Sequence, residues 1–359
     1  VFFIVPPESK IFGDRPFPFL NIAILFNNHD ALEILLNLDP DVDCYDGHLN
    51  TPLHCAAVVG DVGIIARLLH DELCNPTPLN LHKQFPLHLA AINNHFDAVQ
   101  YLIEHFSFLI DSKDSFSRTA LSYAVENGNM AIIDYLITKE KADVTTIDSF
   151  GNTLLHISIE HHMNDALKFL ISSGAFKHLN HINVHGQTPL HLAAMNGNFE
   201  AFSLLIEHQA DPRILDSKHR SVLLLAIESS SFDIFKYIID NQLVYPAELD
   251  SFGVSAIHYA AKNKDINFMK ELSKLDSLAP YINDSKSGYA PIHIAAKLRN
   301  YAVLQFLLTI ESIDSSAEDT YGQTLLHMAA RTTNYDFLRY ALTIPDLNVF
   351  TTDKKGVCF

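Results

Sequence analysis

The chain carries 359 residues, 48% of them hydrophobic and 19% charged, and its 25 Lys+Arg against 42 Asp+Glu leave a formal net charge of −17 at pH 7. That composition supplies a large core and repels a phosphate backbone, so nucleic acid is not an expected partner. Cys44, Cys55, Cys74 and Cys358 show no Cys-x-x-Cys pairing, which argues against a zinc ribbon or disulfide framework and points to a reducing, cytoplasmic setting; no apolar run nears the roughly 18 residues of a membrane-spanning helix, and no secretory signal pattern opens the chain.

Residues 1–16, with Val1-Phe2-Phe3-Ile4-Val5 and Pro6-Pro7, read as a lead-in or the end of a preceding repeat. From there a fixed period takes over. With Thr51-Pro52-Leu53-His54 as the ruler, matching stretches open at Phe17, Thr51, Phe85, Thr119, Thr153, Thr188, Ser221, Ser255, Ala290 and Thr324, in steps of 33 to 35 residues. Ten repeats then fill residues 17–352, and residues 353–359 open a further one that is cut short, as expected of a piece of something longer.

Each repeat predicts two short helices. A residue able to cap begins the first, often followed by proline (Pro18, Pro52, Pro86, Pro189, Pro291) where a missing N–H costs nothing. The third position is apolar throughout and points to the core, and small pairs such as Ala56-Ala57 and Ala193-Ala194 let neighbouring helices approach closely. After a break at Gly60, Asn94, Gly128 or Gly197, a second helix carries aliphatic pairs such as Leu68-Leu69 and Leu205-Ile206, spaced to share one buried face. One such pair cannot bury its apolar faces alone, so stacking on the next must build the core. Polar stretches such as Asp148-Ser149-Phe150-Gly151-Asn152 supply turn chemistry and place a β-hairpin-like loop between repeats. The expected class is an all-α repeat solenoid.

Thr51-Pro52-Leu53-His54-Cys55-Ala56-Ala57 and Thr188-Pro189-Leu190-His191-Leu192-Ala193-Ala194 resemble the ankyrin signature, as does the period, and the resemblance covers about residues 12 to 359. The poorest copies are Phe17-Pro18-Phe19-Leu20 and Ser221-Val222-Leu223-Leu224, the latter without the histidine and the mid-repeat glycine. The resemblance implies helix-turn-helix repeats joined by hairpin-like loops. It also implies a protein partner held along a concave groove of hairpin tips and first helices, with no catalysis and no cofactor in the repeat itself. The alternative is the ankyrin region of a larger effector, such as an ion channel, a palmitoyl transferase, a toxin or a ubiquitin-ligase adaptor, whose activity lies outside these residues. No Gly-x-Gly-x-x-Gly, Gly-x-x-x-x-Gly-Lys, His-Glu-x-x-His or Gly-x-Ser-x-Gly occurs, so the residues give no support to an enzyme.

Histidine recurs at the fourth motif position as His54, His88, His156, His191, His258, His293 and His327. Packed helices lie roughly 8–10 Å apart, too far for adjacent copies to share a metal ion, so a ring bonded beside the helix cap is expected. A denser set, His178, His181 and His185, falls in one connecting loop; it reads as polar loop surface, as a zinc site if a fourth ligand folds in, or as a pH-sensitive contact. The hairpin tips repeat an aromatic at Phe116, Phe150, Phe252 and Tyr321, and exposed rings are typical anchors of binding energy; local packing against the next hairpin is the competing role. His185 joins them as a binding candidate. By resemblance, the outer ends of the first helices also face the groove: Glu126, Asn127, Glu160, His161, Met195, Asn196, Glu228, Lys262, Asn263, Lys297 and Arg331. The middle of that series is acidic and its end basic, which would orient an extended partner by charge.

Overall fold

The computed structural model describes residues 19–38, 41–70, 74–284, 288–331, 335–344, 347–348 and 350–356. The expected lead-in at 1–16 and the motif residues Phe17 and Pro18 lie outside the described residues, as do 357–359. The chain divides into two compact units, residues 1–178 and 179–359, a division the regular period gives no sign of.

In the N-terminal unit the first helices of successive repeats are α1 (Phe19–Leu25), α3 (Pro52–Val59), α5 (Pro86–Ile92), α7 (Ala120–Glu126) and α9 (Leu154–Glu160). Each is followed by its second helix: α2 (His29–Leu36), α4 (Val62–Leu69), α6 (Phe96–His105), α8 (Met130–Asp134) and α10 (Asn164–Ser172). The C-terminal unit repeats the plan with α11 (Pro189–Met195), α13 (Val222–Glu228), α15 (Ala256–Lys262), α17 (Pro291–Lys297) and α19 (Leu325–Arg331). Its second helices are α12 (Phe199–Glu207), α14 (Phe232–Asp240), α16 (Ile266–Leu272), α18 (Tyr301–Leu307) and α20 (Tyr335–Ala341). A π turn, Tyr135–Lys139, extends α8. No helix among the described residues is long and apolar enough to cross a membrane.

Helices of five to ten residues are too short to persist alone in water, so packing must hold them. Within each unit every first helix packs on the first helix of the next repeat. The alanine pairs make this possible: Ala56, Ala57, Ala90 and Ala91 in the N-terminal unit, and Ala193, Ala194, Ala260 and Ala261 in the C-terminal unit, are fully buried. The second helices contribute bulk. Phe202, Phe235 and Phe268 are among the largest fully buried side chains, and the Phe235 and Phe268 rings meet at 4.9 Å and 65°; each such ring is worth about 2–3 kcal/mol of burial.

Among the described residues the inter-repeat loops form no strand. They are tight turns closed by two backbone bonds, as from the Asp148 N–H to Asn152 O at 2.9 Å and from the Gly151 N–H to Asp148 O at 3.0 Å, with an isolated bridge at Ile147–Thr153. Left-handed backbone recurs after the first helix and at the hairpin tip, and in some repeats also after the second helix, at Lys141, Gly174, Gln209 and Gln242. After the first helix, Gly60 (φ 79°) takes it where a Cβ would stand 2.2 Å from the His95 ring; Asn94, His162, Ser230 and Arg299 hold the same conformation with side chains. At the hairpin tips, Gly186 and Gly253 alternate with Leu49, Lys83, Ser117 and His219, all at positive φ.

That mixture sets a test of tip geometry. An L-residue in this region costs about 1–2 kcal/mol, partly offset by the unfolded-state freedom of glycine, so His219→Gly should raise the unfolding free energy by about 1 kcal/mol. Gly186→Ala should lower it, because its Cβ would sit 2.6 Å from the Ser217 amide nitrogen. Urea titration of the whole chain reads both; a neutral G186A would refute the assigned geometry.

Candidate functional site

The hairpin tips are built on one buried Asx residue each. The Oδ1 atoms of Asp46, Asn80, Asp114 and Asp148 in the N-terminal unit each accept the N–H groups of the residues two and four further on, and Asn183, Asp216, Asp250 and Asp319 do so in the C-terminal unit. These side chains supply the tip with acceptors that its own backbone lacks. Within the N-terminal unit successive tips also donate one backbone bond to the tip before: Leu81 N–H to His48 O at 2.9 Å, Ser115 N–H to His82 O and Ser149 N–H to Phe116 O, both at 2.8 Å.

This rail holds the tip side chains outward. Phe116 and Phe150 are 42% and 48% exposed, and Phe252 and Tyr321 are 71% and 57% exposed. Phe116 stacks on His82 of the preceding tip at 6.3 Å, so local packing takes part of its surface and leaves the rest to solvent. A reading keyed to aromatic rings passes over His48, His82 and Lys218, although they occupy the same offset from the tip Asx and are also exposed. His185 is exposed at its tip.

The second carboxylate oxygen of each tip aspartate is met in different ways. Tyr123 donates its hydroxyl to Asp114 at 2.5 Å and Tyr259 to Asp250 at 3.0 Å. Arg118 and Arg220 serve Asp148 and Asp216. At Asp319 the corresponding position is Met328, and Oδ2 is buried with no partner among the described residues.

The motif histidines are structural. The Thr51 N–H donates to His54 Nδ1 at 3.1 Å while His54 Nε2 donates to Gln84 O in the next repeat at 2.9 Å. Phe85 has no side-chain acceptor for a cap, yet its N–H still donates to His88 Nδ1, and His88 Nε2 donates to Ser112 O at 3.0 Å. His258 and His293 reach Asp284 O and Ala317 O in the same way, both at 2.9 Å. In His54, His88 and His258 Nδ1 accepts from the cap N–H while Nε2 donates, so the ring works only when neutral, whereas the buried Nδ1 of His293 has no partner among the described residues. Burial depresses the basicity of His54 to about 4 and lowers His88, His191, His258 and His293, outweighing nearby carbonyls and aspartates.

The outer ends of the first helices divide by role. Glu126 and Glu228 are each gripped by an arginine eight residues earlier, Arg118 at 2.6 Å and Arg220 at 2.7 Å. His161 stands 3.9 Å from Glu126. Glu160, Met195, Asn196, Lys262, Lys297 and Arg331 are exposed, with Gln187 Nε2 against the Met195 sulfur. Asn127 is exposed but donates to Ile92 O of the preceding repeat at 3.1 Å. Asn263, expected at the groove, is instead buried, donating to Ile227 O at 2.6 Å and to Ser230 Oγ. An amide at a helix end satisfies the carbonyls that its neighbour's last turn leaves unpaired, and His95 and Ser229 do the same for Val58 O and Ala194 O. Among the described residues no group of three or more His, Cys, Asp or Glu side chains is placed to hold a metal ion, and this covers His178, His181 and His185.

A family model described as ankyrin repeats matches residues 20–114, 106–181, 176–246, 241–319 and 257–353. An ankyrin repeat protein of Rickettsia felis is 32% identical over 95 residues, 26% of this chain and 31% of that protein. The NAD-dependent deacetylase sir2B of Dictyostelium discoideum is 24% identical over 335 residues, 80% of this chain and 42% of that protein. The chain thus spans less than half the length of these curated relatives. The crystal structure of the human ASB11 ankyrin repeat domain superposes with a TM-score of 0.53 at 23% identity, covering 61% of this chain and 96% of that domain.

Two outcomes test the polar framework. The unfolded chain binds protons at these histidines below about pH 6.5 while the folded chain does not, so their stabilisation is complete above pH 6.5 and is lost as pH falls toward 4. For His54, lowered to about 4, the loss is about 2 kcal/mol at pH 5. Thermal melts at pH 7 and pH 5 should therefore differ steeply, and His54→Gln should shrink the difference. Separately, Met328→Tyr should give Asp319 its missing donor and raise stability by about 1 kcal/mol, whereas Tyr259→Phe should lower it by a similar amount; paired urea midpoints check both.

Proposed function

Because the chain belongs to the ankyrin-repeat family, we propose that it is a non-catalytic scaffold that binds a protein partner along a concave face of tips and first-helix ends. The observation that carries this reading is the row of exposed tip side chains His48, His82, Phe116 and Phe150, pinned to one another through the backbone. A ligand meeting such a row finds anchors whose ordering cost was met on folding. The setting proposed is reducing and cytoplasmic. Supporting it, Cys44, Cys55 and Cys74 are free thiols, and burial pushes Cys44 and Cys74 up to about 11, which keeps them unreactive.

The alternative, that the array serves a larger effector with its activity elsewhere, is supported by the small share of sir2B that it spans. In either case the role proposed for these residues is recognition; turnover by the purified chain would overturn it. For the binding face, Phe116→Ala with Phe150→Ala should weaken capture of partners from native lysate at unchanged helical circular dichroism. Equal capture by wild type and variant removes these tips from the face.

A further inference from the structure

We propose that Lys262, Lys297 and Arg331, the last residues of α15, α17 and α19 in the C-terminal unit, form a basic ladder that takes an acidic, extended peptide segment with a carboxylate at every third residue; this deepens the scaffold reading and rests on it. The last residue of the first helix changes sign along the chain. In α7, α9 and α13 it is Glu126, Glu160 and Glu228; Arg118 and Arg220, eight residues upstream, neutralise the first and the last, while Asn152 holds that position before Glu160. In α15, α17 and α19 it is Lys262, Lys297 and Arg331, and the positions eight residues upstream hold Val254, Tyr289 and Gln323 instead of an acid. No acid stands at the upstream position before any of the three cations. Among the described residues none of the three cations has a carboxylate partner, and all three are exposed.

The fold tolerates this because a cation at a helix C-terminus is favourable, so the charge can face solvent. Two of the cations are also held in place by rings: Lys262 Nζ lies 4.9 Å over Tyr259, and Lys297 Nζ lies 4.2 Å over Tyr289. Nearby aspartates do not cancel them: Asp250 and Asp319 are buried, and their Oδ1 atoms are used by tip amides. The helices pack in succession, α15 on α17 and α17 on α19, which spaces the three charges by roughly 8–10 Å per step. An extended polyproline-type chain advances about 9 Å per three-residue turn and returns the same face each time. Carboxylates three residues apart therefore meet successive rungs, and the missing upstream acid is supplied from outside.

The test measures fluorescence anisotropy of a blocked, labelled (Glu-Pro-Pro)4 peptide on the whole chain at low salt. Saturable binding is expected, weakened about tenfold or more by Lys262→Glu, Lys297→Glu and Arg331→Glu together, and also by a peptide of equal composition with its glutamates contiguous. The reversed variant should gain binding to (Lys-Pro-Pro)4. The milder Lys262→Gln, Lys297→Gln, Arg331→Gln variant guards against misfolding and should also lose the acidic probe. No saturable binding, equal binding of the contiguous peptide, indifference to both variants, or equal binding of an oligothymidylate each overturns the ladder. The scaffold reading is checked separately by partner capture with the Phe116→Ala, Phe150→Ala variant. If partner capture still depends on those tips while the probe fails, the ladder falls and the scaffold stands; if capture ignores the tips while the probe binds, the reverse holds.

Discussion

Everything in this structure depends on hydrogen bonds that leave one repeat and end in another. Helices this short begin with unpaired N–H groups and end with unpaired carbonyls, and the chain satisfies many of them outside the repeat that carries them. His54 closes its own helix start and then reaches Gln84 O; Asn263 covers Ile227 O behind it; tip amides donate to the tip before. Each repeat is thus incomplete without a neighbour in polar as well as apolar terms. The neutral imidazole is suited to this because one ring accepts on one side and donates on the other.

Much of this was legible because capping chemistry is local. Thr51-Pro52 marks a helix start whatever follows it, and the alanine pairs announce close helix packing. Positions that need left-handed backbone were legible where glycine or asparagine fills them, as at Gly60, Asn94 and Gly151, whereas Leu49 and His219 adopt the same conformation without a telling side chain. The π turn after α8 and the division at residues 178 and 179 leave no mark in the period, since both arise from how helices settle together.

The exposed ends of the first helices and the tips were read less well, for a physical reason. A polar residue near a helix end serves solvent, a partner or the adjacent repeat according to which carbonyls lie within reach. Asn263 serves the adjacent repeat, while Lys262, one residue before it, faces outward. At the tips the offset from the buried Asx decides exposure, so His82 belongs with Phe116 although their chemical types differ.

The reach of the histidine bond, 30 residues from His54 to Gln84 and 26 from His258 to Asp284, has a consequence for how such a chain can change its length. Because donor and acceptor recur at almost the same interval as the repeat, a gene segment of one period can be duplicated or excised and each severed bond finds an equivalent partner in the copy that replaces the old neighbour. Lengthening of this kind moves the charges at the helix ends relative to one another while leaving every cap intact, so heredity can redraw the outer face without renegotiating the frame beneath it.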